Sequence, residues 1–288
     1  MRTDDTAALD QWYTLGAIND FPMGTTKPAI LLGADLTVAR PATDRFEVTG
    51  VDGTPVEACI EYGHLWVTLG RPERPLFDIP EWREPDRRAV YCGGVRVRAS
   101  GLRVIENFLD LAHFPYVHTE ILGTEAEPEV AKYEVEHRAD TDELWATKCE
   151  FFQPKAAASA EGGQISQYMY RVVNTFNVML YKTPPTAPNR WDVVALFVQP
   201  VAEDVSIGHP FMLVIDETST EAGLIAFQQM IFLQDKIVLE NQRPRLLPLQ
   251  PGRETPTRGD LSSVLYRRWL KGKNLGFGVE ERVSLPHA

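Results

Sequence analysis

Cysteine is scarce in this chain: 288 residues hold three, Cys59, Cys92 and Cys149, with no C-x-x-C and no C-x-H pair. That spacing supports neither a disulfide framework nor an iron–sulfur or zinc ligand set, and predicts reduced, partly buried thiols. Positive charge is also short. Lys and Arg total 29 against 40 Asp and Glu, a net charge of −11, and the basic residues fall in short mixed groups such as YRRWLKGK. A nucleic acid or an anionic membrane needs clustered cations, so neither is expected as a partner. No apolar run approaches the roughly 20 residues of a membrane span. The opening MRTDDTAALDQW lacks the apolar core of a signal peptide, which predicts a cytoplasmic protein. Internal repeats and low-complexity segments are missing too.

What is present is a globular composition, 44% hydrophobic and 10% aromatic, long enough to bury a sizeable core. Residues 1–80 read as short strands and turns. AILLG, LTVARP, RFEVTGVDGTPVEACI and HLWVTLG alternate apolar and polar positions between Gly, Pro and Asp. The proline-rich, charged stretch RPERPLFDIPEWREPDRR then marks a boundary, and residues 81–288 form a second unit. AVYCGGVRVRAS predicts a strand, and Gly101 to about His113 a helix with Leu102, Ile105, Leu109 and Ala112 on its apolar side. ELWATKCEFF, QISQYMYRVVNTFNVMLYK, RWDVVALFVQPV and VSIGHPFMLVID predict an antiparallel sheet. Thr218 and Glu221 fit a capping box opening a long helix that Pro244 stops, and GDLSSVLYRRWLKG predicts a last one. Strands followed by packed helices define an α+β fold.

Within ENFLDLAHFPYVHTEILG, Asn107, Asp110 and His113 recur at steps of three, so on a helix they form a polar stripe. A solvated helix face would look the same. His113 and His118 add the commonest side-chain metal ligand twice. Five residues apart on an unbroken helix they would diverge by about 140°; Pro115, which disfavours helical geometry at Phe114, predicts a break that lets His118 swing back. A third ligand is available in Asp235, set in an apolar stripe between Ile231, Phe232 and Val238, Leu239. There an ionised carboxylate is costly unless paired or metal-bound; a rim position facing water or an arginine is equally compatible with the helix alone. Two histidines and a carboxylate leave open positions on a non-haem ferrous ion.

The segment N-x-x-D-x-x-H-x-x-x-x-H, read as Asn107, Asp110, His113 and His118, resembles the mononuclear-iron motif of the Rieske-type non-haem iron oxygenases. FLQDKIVLENQ is similar to that family's third-ligand helix, and QWYTLGAIND and YGHLWVTLG resemble the two ends of its Rieske domain. The resemblance covers nearly the whole chain. It implies a helix-grip (START-like) catalytic domain, with an antiparallel sheet and long C-terminal helices, behind a Rieske-like β domain. This β domain departs from the family. The C-x-H and C-x-x-H loops that hold a [2Fe-2S] cluster are missing, so residues 1–80 read as a cluster-less Rieske remnant. EPDRR, SGLRVIENFLDLAHFPYVHTEILG and YRRWLKGKN are similar to a branch of the family that demethylates methylxanthines without a cluster of its own.

The resemblance implies that His113, His118 and Asp235 bind mononuclear Fe(II). Asp110 would orient a ligand histidine and connect it to the electron donor, with Asn107 supporting it. It implies an N-methylated purine such as 7-methylxanthine as substrate, and a Rieske-containing, NAD(P)H-dependent reductase as donor. An accessory subunit related to glutathione transferases and a trimeric or mixed oligomer are further implied partners. Gln228, Ile231 and Phe232 share the Asp235 face and are candidates to line the pocket; core packing explains the two apolar residues as well. His64, His137, His209 and His287 are expected to be structural or exposed. Three competing readings stand: a non-catalytic binding subunit, a demethylase or hydroxylase of another aromatic or heterocyclic substrate, and a zinc hydrolase using the same trio. The first predicts an eroded iron site, yet every position is filled by a competent residue. The zinc hydrolase leaves the flanking similarities unexplained.

Overall fold

A computed structural model describes residues 2–185, 187 and 189–280. After a short helix α1 (Thr6–Leu9), six strands follow: β1 (Tyr13–Ala17), β2 (Thr26–Leu31), β3 (Ala34–Ala42), β4 (Arg45–Gly50), β5 (Glu57–Glu61) and β6 (His64–Thr68). They make two small antiparallel sheets, β1-β6-β5 and β2-β3-β4. The next strands, β7 (Arg88–Tyr91) and β8 (Val95–Val97), lead into helices α2 (Gly101–Leu109) and α3 (Phe114–Val117). Then come β9 (Glu134–Arg138), β10 (Glu143–Gln153), β11 (Gln164–Asn174), β12 (Asn177–Lys182), β13 (Asp192–Ala202) and β14 (Val205–Val214), followed by α4 (Glu221–Asn241) and α5 (Leu261–Gly272). Strands β7 to β14 form one eight-stranded antiparallel sheet, ordered β7-β14-β13-β12-β11-β10-β9 with β8 also on β14.

Both faces of this sheet are covered, which is why β13 reads as the nearly unbroken apolar run VVALFV rather than as an alternation. One face of its centre, with Met179, Tyr181, Val193, Ala195, Phe197 and Phe211, is buried against Trp66, Tyr62 and Ile79. So the N-terminal strands roof the back of the sheet. The other face meets the helices. α4 crosses it at Gly208, where any Cβ would fall 2.5 Å from the ring of Phe232, and α2 sits closely on Phe176 and Val198 through Gly101. The α+β architecture matches the expectation from sequence. Cys92 and Cys149 are buried and Cys59 is partly so, all three free.

Several boundaries differ from the expected ones. The helix expected to reach His113 ends at Leu109, and Asp110 is already extended. Its carboxylate accepts the Ala112 N–H at 2.8 Å, a local bond that competes with helix continuation. Asn107, Asp110 and His113 are therefore not a helical stripe. Pro115 does not break a helix either; it lies in the first turn of α3, where a missing N–H has no partner to lose. Residue 220, not 218, caps α4: Thr220 accepts the Gly223 N–H at 3.1 Å, while Thr218 is bonded to Asp216. The single strands expected over 89–100 and 164–182 are each two, split at Gly93–Gly94 and at Thr175–Phe176.

By length and composition α4 is apolar enough to cross a membrane, with a mean hydropathy of 1.2. In the fold it lies on the sheet, with Leu224, Phe232, Asp235 and Leu239 buried.

Candidate metal centre

His113 and His118 flank the one-turn helix α3, the first at its N-cap and the second at its C-cap. Capping opposite ends of a single turn brings both rings to one side. The turn is held from behind at Gly123, where a Cβ would stand 2.8 Å from the Pro115 nitrogen. From α4, Asp235 reaches the same point. Its Oδ1 lies 3.3 Å from His113 Nε2 and 3.0 Å from His118 Nε2, and the two Nε2 atoms are 3.1 Å apart. Among the described residues these three form the group of His, Cys, Asp or Glu side chains close enough to share a metal ion.

The outer nitrogens fix what the inner ones can do. His113 Nδ1 is 3.1 Å from Asp110 Oδ2, and His118 Nδ1 is 2.8 Å from Gln234 Oε1. Each of those oxygens accepts an N–H, so in the neutral rings both Nε2 atoms present lone pairs inward. Asp235 Oδ1 is buried and makes no hydrogen bond of good geometry. Three electron-rich atoms facing one another at about 3 Å repel unless a proton or a cation lies between them. Ligand atoms on one cation, at about 2.1 Å and near right angles, lie roughly 3 Å apart, so the donor set fits a metal. Protons feel the same field. Burial opposes a charged His113, but the bond to Asp110 and the Asp235 carboxylate beside it outweigh it and raise its pKa to about 9. Burial likewise opposes a charged Asp235, and the two histidines outweigh it and hold its pKa below the ordinary value.

The trio opens into a cavity of about 1130 Å³, counting the space at its mouth. Asn107, Gln228, Ile231 and Phe232 line it, and Asp110 stands behind His113 outside the lining. Neither water nor an arginine was needed to place Asp235: it is buried against the two histidines. His64 and His209 are buried in the back of the sheet, and His137 pairs with Asp142 near the surface. His287 lies outside the described residues. Sequence reasoning missed Gln234, whose position beside Asp235 was the available signal. It also missed Tyr168, Tyr170, Lys182 and Asp192 in the cavity wall. Their alternation along β11 to β13 was visible, but the register joining them was not.

An antiparallel sheet gripping a long helix, with two imidazoles and a carboxylate converging between them, defines a mononuclear-metal type of site on a helix-grip fold. The chain belongs to the Rieske-type oxygenases: the family described as vanillate O-demethylase oxygenase C-terminal domain matches residues 97–274. It is 44% identical over 281 residues, 97% of this chain and 99% of the other, to a probable methylxanthine N7-demethylase, NdmC, of Pseudomonas sp. (strain TJI-51). To the methylxanthine N1-demethylase NdmA of Pseudomonas putida it is 25% identical over 221 residues, 73% of this chain and 58% of that one. The fold matches the structure of Pseudomonas putida CBB5 NdmA with caffeine at a TM-score of 0.76 and 17% identity, covering 92% and 90% of the two chains. It matches dicamba monooxygenase bound to 3,6-dichlorosalicylic acid at 0.72 and 15% identity, covering 92% and 97%.

Proposed function

We propose that this chain is the oxygenase component of a methylxanthine N-demethylase, converting 7-methylxanthine to xanthine and formaldehyde. The observation that carries the reading is the convergence of His113, His118 and Asp235 in the wall of a largely apolar cavity. Those three would hold Fe(II), which when bound supplies oxygen activation. Dioxygen, two electrons and two protons hydroxylate the N-methyl carbon and release water; the hemiaminal then loses formaldehyde and leaves N–H on the ring. Asp110 keeps the His113 ring in the tautomer that turns the Nε2 lone pair inward, and Gln234 does the same for His118. Apolar walls from Phe108, Leu180, Val194 and Leu196 exclude water from the reacting methyl group.

The electrons come from outside. With no C-x-H pair in the chain, the donor is a partner reductase that carries a Rieske centre and oxidises NAD(P)H, reaching His113 by way of Asp110. Residues 1–80, the Rieske remnant, present the outer surface for that partner, and residues 81–288 carry the chemistry. A glutathione-transferase-like accessory subunit and a trimeric or mixed assembly complete the proposed complex.

The test is turnover. Protein loaded anaerobically with Fe(II) is given a Rieske reductase, NADH and individual methylxanthines, and formaldehyde is followed. Release from 7-methylxanthine is expected. Binding of a methylxanthine with no formaldehyde from any N-methyl or O-methyl substrate would favour a non-catalytic binding subunit.

A further inference from the structure

The strands that wall the cavity carry a polar rung that the metal trio does not use. Tyr168 on β11 pairs with Lys182 on β12, and Lys182 with Asp192 on β13. Directly opposed residues share a face, and all three line the cavity. The next rungs on that face are apolar: Leu180 pairs with Val194, which pairs with Met212. Leu196, two rungs beyond Asp192, lies beside Phe232 where α4 crosses Gly208, one turn before Asp235. Four strand residues span about 13 Å, a gap that a bicyclic base with its methyl group toward the trio largely fills.

Neither charged member of the rung is used up. Lys182 gives one N–H to the Ala156 carbonyl, out of three donors. One Asp192 oxygen accepts the Ile215 N–H at 2.7 Å. Their ends form no ion pair with each other among the described residues, although the backbones are in register. Burial lowers Lys182 to about 7 and raises Asp192 to about 6, so each charge is poorly hydrated where it stands. The hydroxyls of Tyr168 and Tyr170 are buried in the same wall without hydrogen bonds. A donor and an acceptor in one rung of the cavity wall, each partly buried and each with bonding capacity left over, mark a place for a ligand with the complementary pair.

Resting on the demethylase reading, we infer that Lys182 and Asp192 bind the edge of the substrate opposite its reacting methyl group, Lys182 donating to a ring carbonyl and Asp192 accepting from the adjacent ring N–H. The rung therefore selects purines that keep a free ring N–H over fully N-methylated ones. A methyl in place of that hydrogen leaves Asp192 facing carbon, and a site built to bond a polar group rejects a ligand that lacks it. Lys182 and Asp192 are specificity residues in this scheme; the reacting atoms lie at the other end of the cavity.

Calorimetric titration of the full chain with 7-methylxanthine, which has two ring N–H groups, and with caffeine, which has none, tests this without any turnover. Wild type should bind 7-methylxanthine at least about tenfold more tightly than caffeine. Lys182→Met and Asp192→Asn, each checked for an unchanged melting curve, should narrow that ratio to roughly threefold or less, chiefly by weakening 7-methylxanthine. Equal affinities in wild type, no binding of 7-methylxanthine, or a ratio kept in both variants would overturn the assignment. The demethylase reading fails separately: the expected ratios without formaldehyde uphold the rung and sink the reaction, and formaldehyde with an unchanged ratio does the reverse.

Discussion

The two faces of the eight-stranded sheet are built from alternate residues of the same strands and differ in where their unbonded polar atoms lie. On the back face Trp66 stacks edge-on against Phe197 at 4.9 Å, and its indole N–H is given to the Glu61 carbonyl. His64 bonds the Tyr62 carbonyl and His209 the Gln199 side chain. On the cavity face Asp235 Oδ1 and the hydroxyls of Tyr168 and Tyr170 are buried without a hydrogen bond. Each such group costs on the order of 1–3 kcal/mol. The back face keeps such atoms as well, Trp12 Nε1 and Asn177 Oδ1, but those lie outside the cavity, whereas the three on the cavity face line it. The back face also accounts for the N-terminal strands: without them Met179, Val193 and Phe197 would meet water.

The contrast is broken most sharply at Asp235. Asp235→Ala removes the carboxylate from the trio and should abolish both iron retention after gel filtration and formaldehyde release, while the chain still folds with some loss of melting temperature, because both imidazoles lose the carboxylate they face. Turnover that survived would refute its role as a ligand. On the other face the loss should be inverted. Trp66→Ala opens a cavity in a fully buried aromatic cluster and should cost about 3–5 kcal/mol in urea unfolding. The fraction that stays folded should keep its iron content.

This division was only partly legible in the sequence. Apolar runs gave the sheet, the long helix and the α+β class, since these depend on periodicity that is local. The three side chains that converge were legible as candidates because Asp235 is a charge in an apolar stripe and the histidines sit beside a proline. How the histidines meet was not. The turn depends on the Asp110 carboxylate bonding Ala112 and on α3 packing against Gly123, which are choices of tertiary structure. The polar rung was hidden for a related reason: it needs the β11-β12-β13 register, fixed by turns such as Thr175–Phe176 within what reads as one continuous strand.

A smaller effect probes the support of the trio. Gln234→Leu removes the acceptor of the His118 Nδ1 proton and frees the ring to rotate or change tautomer. Iron affinity, read by competition with a chelator, should fall by roughly 10- to 100-fold. An unchanged affinity would mean that packing alone orients His118.

The mildest test concerns the back face and acid. Burial lowers His64 to about 4 and His209 to about 3, the latter also through His64, whereas in the unfolded chain both titrate near 6.5. Between those values the unfolded state binds protons that the folded state does not, so stability falls as pH drops below about 6.5. Each histidine contributes a slope of about 1.4 kcal/mol per pH unit until the pH reaches its folded value. Urea unfolding from pH 6.5 to 4.5 should show His64→Phe losing less stability than wild type, by about one proton's worth of slope. Phenylalanine keeps the ring contacts with Tyr91, Phe197 and Phe211, so packing does not confound the comparison of slopes. Parallel slopes in the two proteins would mean that His64 takes up its proton in the folded state and that the back face is not closed to it.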